Sequence, residues 1–327
     1  MTKCSRLVSV LPGHSYVVIA LVMVATHVVL AQQKPGEGRS DSVSQRPPIL
    51  LRVAVTDTKG RLIANLRQDA FTVYDRNVAQ TISSFANDDV PSSIGFLIDT
   101  SGSMKSGPSL SMIKDGILRF IQQAHQANEY FIVTYADHPE LLIDWTGDVG
   151  LIEDALTKLA RLSQKGGTAI YDACDLAIER VRTRSNPKHA LILITDGEDN
   201  GSHHSYATLR DSLKRSDTIV YAVYIANGIG QYSGLGRRFL KEALSYSGGT
   251  GFSVADKGAM NEVFDFFARE LRHQYLVGYS PGTFDSEWHS VKVKVNTVDI
   301  IGLPKSNKPP KLTARTRQGY YGSGNIR

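Results

Sequence analysis

Three short stretches carry residues whose types and spacing allow chemistry. The first, Asp99-Thr100-Ser101-Gly102-Ser103-Met104, follows directly on the apolar run Ile94-Gly95-Phe96-Leu97-Ile98. A carboxylate and two hydroxyls at alternate positions offer hard oxygen donors, which suit Mg²⁺, Mn²⁺ or Ca²⁺ better than zinc or copper. Gly102 is expected to let this loop bend so that both hydroxyls point to one centre. Taken alone, such a polar loop reads equally well as a turn with a helix cap. The second stretch, Gly166-Gly167-Thr168, precedes a helix expected to start at Ala169, and there the Thr168 hydroxyl also fits an N-cap. The third is Asp196, placed after the strand-like run Leu191-Ile192-Leu193-Ile194-Thr195, where an acid can again cap a loop or helix. Each stretch has its own capping explanation. All three arriving at strand-end or helix-start junctions are hard to explain by capping alone.

The elements that must position these residues are legible from apolar spacing. Ile94–Ile98, Tyr130–Tyr135, Ala190–Ile194, Thr218–Val223 and Gly251–Val254 are nearly continuous in apolar residues, as expected for strands covered on both faces. Between them, Ile170, Ala173, Cys174, Ala177, Ile178 and Val181 recur at helical spacing, as do Met260, Val263, Phe264, Phe267 and Leu271 on a final helix expected over Met260–His273. Strands alternating with helices predict an α/β fold, a doubly wound and mostly parallel sheet, over residues 92–272. Leu141–Trp145 breaks the pattern. It follows Tyr135 after only Asp137-His138-Pro139 and a few neighbours, too short for a parallel crossover, so it predicts one antiparallel edge strand. In an open α/β sheet, ligands sit beyond the carboxyl ends of the strands near the point where strand order reverses, which is where Asp99 and Asp196 fall. The segments on either side, 49–90 and 273–327, have period-two strand texture, with Leu51–Thr56, Phe71–Tyr74, Thr81–Phe85, Tyr275–Tyr279, Ser290–Asn296 and Lys311–Arg317 as strands. They are expected to pair with each other into one small β-domain.

On these residues the chain from about Ser92 to Arg272 resembles the von Willebrand factor type A domain, shared with the inserted domains of integrins. The metal-ion-dependent adhesion site of that family is Asp-x-Ser-x-Ser, then a Thr, then an Asp on a later strand end. Asp99, Ser101, Ser103, Thr168 and Asp196 supply every member. The resemblance implies a divalent cation, Mg²⁺ first with Mn²⁺ or Ca²⁺ as alternatives, held with one position open to a partner protein's Asp or Glu carboxylate. It implies a binding module and not an enzyme. It also implies a site in which Asp196 changes contact on engagement while the final helix shifts. Gln274-Tyr275-Leu276-Val277-Gly278-Tyr279 and Arg315-Thr316-Arg317-Gln318-Gly319-Tyr320-Tyr321 look like segments of an exported, type A-related group found in acidobacteria.

The remaining sequence bounds the function from outside. Lys3 and Arg6, then a mostly apolar Tyr16–Leu30 and the small residue Ala31, read as a signal peptide over 1–31; an uncleaved anchor is disfavoured by Pro12, His14 and His27. Residues 32–48 read as a flexible linker. The mature chain is therefore expected to be secreted or periplasmic. The net charge of +5 over 327 residues is too small and too evenly spread for nucleic acid. Two cysteines, Cys4 and Cys174, leave no cysteine metal cluster, and Cys174 sits on an apolar helix face as a core residue does.

Other motifs read as decoys. Gly278-Tyr279-Ser280-Pro281-Gly282 matches a nucleophile elbow, but Pro281 has no N–H for an oxyanion hole, so a serine hydrolase using Ser280 is the weaker alternative. His203-His204 lacks a third ligand, and Glu198 and Asp199 are expected to solvate their loop. Gly248-Gly249-Thr250-Gly251 lacks the Lys and the helix of a phosphate loop. A structural subunit of an envelope assembly is the remaining alternative to a binding module.

Overall fold

The computed structural model describes residues 47–106, 109–161, 165–225, 234–283, 285–296 and 311–322. The expected signal peptide and nearly all of the expected linker lie outside them. In chain order the elements are β1 (Ile49–Thr56), β2 (Phe71–Asp75), β3 (Val78–Gln80), β4 (Ile82–Ala86), β5 (Ser92–Asp99), α1 (Leu110–Gln123), β6 (Glu129–Tyr135), β7 (Pro139–Thr146), α2 (Val149–Leu159), α3 (Ile170–Arg182), β8 (Lys188–Thr195), α4 (Tyr206–Arg215), β9 (Ile219–Ile225), α5 (Gly234–Ser247), β10 (Gly251–Val254), α6 (Lys257–Arg272), β11 (Tyr275–Tyr279), β12 (Trp288–Val295), β13 (Thr313–Arg315) and β14 (Gly319–Tyr321).

Every residue of β5 and β8 is buried, which is why their sequences do not alternate. They form the middle of a six-stranded sheet of order β10-β9-β8-β5-β6-β7. All pairings are parallel except β6 with β7, which is antiparallel. Helices cover both faces. One face packs Phe96, Ile98, Ile192 and Ile194 against α1 and α6 through Ile113, Phe120, Phe264 and Phe267. The other packs Leu97, Leu191 and Leu193 against α3 and α5 through Ala173, Ile178, Phe239 and Leu240. Cys174 lies in this second layer, and burial pushes its thiol far above the usual range. Ser109, Asp148, Ser205 and Asp256 cap α1, α2, α4 and α6, each accepting a backbone N–H of the first turn.

The flanking strands pair across the chain. One four-stranded sheet has the order β13-β1-β11-β4 and another the order β14-β12-β2-β3. The sequence reading missed β3 and took 311–317 as one strand. The structure ends β13 at Arg315 and starts β14 at Gly319, in different sheets, because Arg317 turns inward between them and donates Nε–H to Gly319 O and Nη2–H to Lys214 O. Residues 46–327 group as one compact unit.

The core between these sheets holds a closed polar network. The buried Asp75 carboxylate accepts from Tyr279 OH at 2.9 Å and Tyr320 OH at 2.6 Å, and faces His289 Nδ1 at 2.9 Å. The other ring nitrogen, Nε2, lies 3.0 Å from Asp285, which Arg76 grips with two hydrogen bonds. A second pair, the buried Glu270 of α6 with the part-exposed Arg315 of β13, joins a flanking strand to the α/β layers, with Tyr221 OH donating to the same carboxylate. No helix among the described residues is long and apolar enough to cross a membrane.

Candidate functional site

β5 and β8 are adjacent, and the chain leaves β5 for β6 on one side and returns to β8 on the other. The crevice beyond their carboxyl ends is thus the point where strand order reverses. Asp99 is the last residue of β5, and Asp196 follows the last residue of β8. Thr168 stands two residues ahead of α3.

Backbone hydrogen bonds stitch the three loops together. The Gly102 amide donates to Gly166 O at 3.2 Å, and the Lys165 amide donates to Thr100 O at 3.1 Å. The Asn200 and Gly201 amides both donate to Thr168 O at 3.0 Å, and Asn200 Oδ1 accepts from the Thr168 amide at 2.7 Å. The β6–β7 hairpin closes the ring. Tyr135 O accepts from the Thr100 amide, Ala136 O accepts from the Ala169 amide, and Asp137 Oδ1 accepts from the Gly167 amide at 2.6 Å.

Inside this frame Asp99 is fully buried and Ser101, Thr168 and Asp196 are nearly so, while Ser103 is exposed at the rim. Asp99 Oδ1 accepts from the Ser101 amide at 2.9 Å, and its Oδ2 accepts from Thr195 Oγ1 at 3.0 Å. The Ser101 and Ser103 hydroxyl oxygens are 3.0 Å apart. The Thr168 hydroxyl takes no hydrogen-bond partner among the described residues. Burial pushes the Asp99 carboxyl up to about 6; the like charge of Asp196 pushes the same way, against the hydrogen bonds from Ser101 and Thr195. The Tyr135 phenol, buried alongside, is driven well above its usual range by burial and then by the charge of Asp99.

Three sequence expectations change here. Gly102 does not occupy the left-handed region. The loops turn instead at Gly166 and Gly197, each at φ +88°. A side chain on Gly166 would also collide with the Asp137 carboxylate, at 2.6 Å from its Cβ. Nor does Thr168 cap α3. The N-cap position is Ala169, and the cap is supplied from the next loop, where Asp199 Oδ1 accepts from the Ile170 amide at 3.0 Å and Ser202 Oγ from the Tyr171 amide at 3.0 Å. Asp199 is thus a structural clamp and not a solvated acid. His203 and His204 stay exposed, with both backbone amides donating to Asp172.

Asp137, Thr195, Asp199 and Asn200 were missed as site residues. The only sequence signal for them is their nearness to the three stretches. Ser280 is exposed after β11, makes no hydrogen bond among the described residues, and the next element is β12 and not a helix.

Among the described residues no three His, Cys, Asp or Glu side chains cluster as a metal cage. A cation here would take most of its ligands from hydroxyls and water, and two carboxylates with three hydroxyls are a hard-oxygen set that fits one.

Residues 94–198 match the family model of the von Willebrand factor type A domain, from β5 through the loop after β8. A comparison with curated protein sequences gives no match. Among solved structures, the chain is similar to the PilB minor pilin from Streptococcus sanguinis (12% identity, 57% of this chain and 62% of that one, TM-score 0.48). It is also similar to an aerotolerance-related membrane protein from Bacteroides fragilis (18% identity, 56% and 98%, TM-score 0.44). A third is proximal thread matrix protein 1 from the mussel byssus, with a zinc-occupied MIDAS motif (18% identity, 60% and 49%, TM-score 0.46). The chain thus spans less than two thirds of the pilin's length. The sequence match falls on the strands and loops that build the crevice.

Proposed function

We propose that the crevice is a metal-ion-dependent adhesion site and that the protein is an exported module binding a partner protein through an Asp or Glu side chain. Asp99, Ser101, Ser103, Thr168 and Asp196 are the residues that would hold the cation, with Mg²⁺ favoured over Mn²⁺ and Ca²⁺. The observation that carries this reading is the stitching of three separate loops around a buried carboxylate that feels the charge of a second one, Asp196.

A bound divalent cation supplies a positive centre, incompletely neutralised by the protein, that accepts a carboxylate oxygen from the partner. The chain's own residues prepare for this. The Ser101 amide and Thr195 hydroxyl fix both oxygens of Asp99, so its carboxylate stays aimed without solvent exposure. Ser101 and Ser103 present neutral oxygens, which add ligands without adding negative charge. Asp199 and Asn200 hold the Thr168 loop from outside and leave its hydroxyl uncommitted. Ser103 and Gly166 at the exposed rim leave room for an incoming side chain. In this reading the amino-terminal segment is a cleaved export signal, and the chain is a relative of the acidobacterial type A-related group.

Calorimetric titration with Mg²⁺, Mn²⁺, Ca²⁺ and Zn²⁺ tests the site. The wild-type chain is expected to show saturable heats that vanish in Asp99→Ala; equal heats in both would refute the assignment. Pull-down from envelope extract with and without chelator tests the partner. Capture that survives chelation points instead to constitutive assembly, as does a size-exclusion profile unchanged by EDTA.

A further inference from the structure

The Gly248-Gly249-Thr250-Gly251 loop lies at the start of β10, whereas the Asp99 crevice lies beyond the carboxyl ends of β5 and β8. Its glycines are needed for close approach. A Cβ on Gly249 would sit 1.7 Å from Val220 O, and one on Gly248, at φ +78°, would sit 2.5 Å from the Arg317 amide nitrogen. The Gly248 and Gly249 amides both donate to Leu244 O at the end of α5, so the loop does not present them to a ligand. What the close approach creates is a cleft of about 410 Å³ between α5, this loop and the 315–316 segment. That volume is in the range of small-molecule sites.

Several polar side-chain atoms at this cleft take no partner among the described residues. Lys241 makes no ion pair with a described residue. Arg315 spends Nε on Gly248 O and Nη2 on Glu270, and its Nη1 takes no partner among the described residues. Thr316 Oγ1 is buried and makes no hydrogen bond among the described residues. Ser245 and Thr250 add hydroxyls to the lining. Glu270 balances Arg315, so Lys241 leaves the cleft with a net positive charge. Buried polar atoms without partners are costly, and a cation without a counter-ion beside them selects an anion with several acceptor oxygens.

We propose that this cleft is a second binding site, for a small ligand that presents an oxyanion, with Lys241 as its counter-charge, Arg315 Nη1 as a donor and Thr316 Oγ1 as the buried hydrogen-bond partner. The site is independent of any cation at Asp99. The test is an amide chemical-shift titration of the full chain with inorganic phosphate and, separately, with acetate, in EDTA, against chloride at matched ionic strength. Saturable shifts at Thr250, Gly251 and Thr316 are expected with at least one of the two anions, and the stronger response identifies a phosphate or a carboxylate as the group recognised. Lys241→Gln, at an exposed position, is expected to weaken binding about tenfold by removing a charge-assisted contact. Thr316→Val, which keeps the shape, is expected to weaken it less. No saturable shift with either anion, or an unchanged affinity in Lys241→Gln, overturns the proposal.

Discussion

Asp99 and Asp75 are both carboxylates shut away from solvent, and their surroundings are opposite in character. Asp75 is closed on every side by donors: two tyrosine hydroxyls and an imidazole that is itself braced by Asp285 and Arg76. Asp99 also accepts two hydrogen bonds, but the charge it meets is that of Asp196, and the remaining groups around it are hydroxyls. A buried carboxylate with matched donors stabilises the fold around it. A buried carboxylate facing a like charge costs stability until something positive arrives. The first braces the architecture, and the second lies at the proposed cation site.

The comparison can be broken at several points. The largest effect is expected from Asp99→Ala on divalent-cation affinity, a loss of about a hundredfold or more, since ligand removal weakens metal binding at least as much as loss of a supporting contact does. The same calorimetry on Asp75→Ala should give wild-type affinity, and a parallel loss there would erase the distinction. Asp75→Ala should instead lower folding stability by about 3 kcal/mol, read as a shift of the urea midpoint, because it strands two tyrosine hydroxyls and a buried imidazole nitrogen at once.

Next comes a pH effect of opposite sign. The Asp99 carboxyl rises from its usual 3.8 to about 6 in the folded chain, so between those values the folded state holds a proton that the unfolded state has released. Stability of the metal-free protein should therefore fall as pH rises through this window, by about 3 kcal/mol in total as an upper figure. Asp99→Asn should abolish that component. In EDTA at neutral pH it should be more stable than wild type, and saturating Mg²⁺ should reverse the order. Wild-type stability independent of pH between about 4 and 6, relative to Asp99→Asn, would show that burial does not hold the Asp99 carboxyl above its usual range.

Smaller effects should come from the frame. Asp199→Ala should cost about 1 kcal/mol through loss of the α3 cap, measured by thermal unfolding, and should weaken cation binding only through the loosened Thr168 loop. Ser103→Ala, at the exposed rim, should leave stability unchanged and reduce cation affinity several-fold, read by calorimetry.

Much of this was legible in the chain. The unbroken apolar runs of β5 and β8 announce strands covered on both faces, and the short link through Asp137-His138-Pro139 announces the antiparallel β7. Asp99, Ser101, Ser103, Thr168 and Asp196 were marked by residue type at strand ends and a helix start. Other assignments were not legible, because they depend on contacts between segments far apart in the chain. Asp199 caps a helix that begins 29 residues earlier, so no local capping pattern points to it. Gly102 looked like the bend because it lies inside the motif, but positive φ falls at Gly166 and Gly197, where the loops fold over their neighbours. β3 escaped notice because three residues, two of them exposed, carry no periodicity.

By itself, then, the sequence determined which residues have oxygen donors and on which elements they ride, since apolar period and residue type are local properties. Only the tertiary structure decided that the loops carrying those donors are stitched together and that the charge of Asp196 reaches Asp99. It also placed Asp75, with no motif around it, at the centre of a closed network joining β2, β11, β12 and β14. The physical reason is the same in each case. Burial and the charge of a neighbour set what a carboxylate does, and both come from segments that meet only when the chain folds.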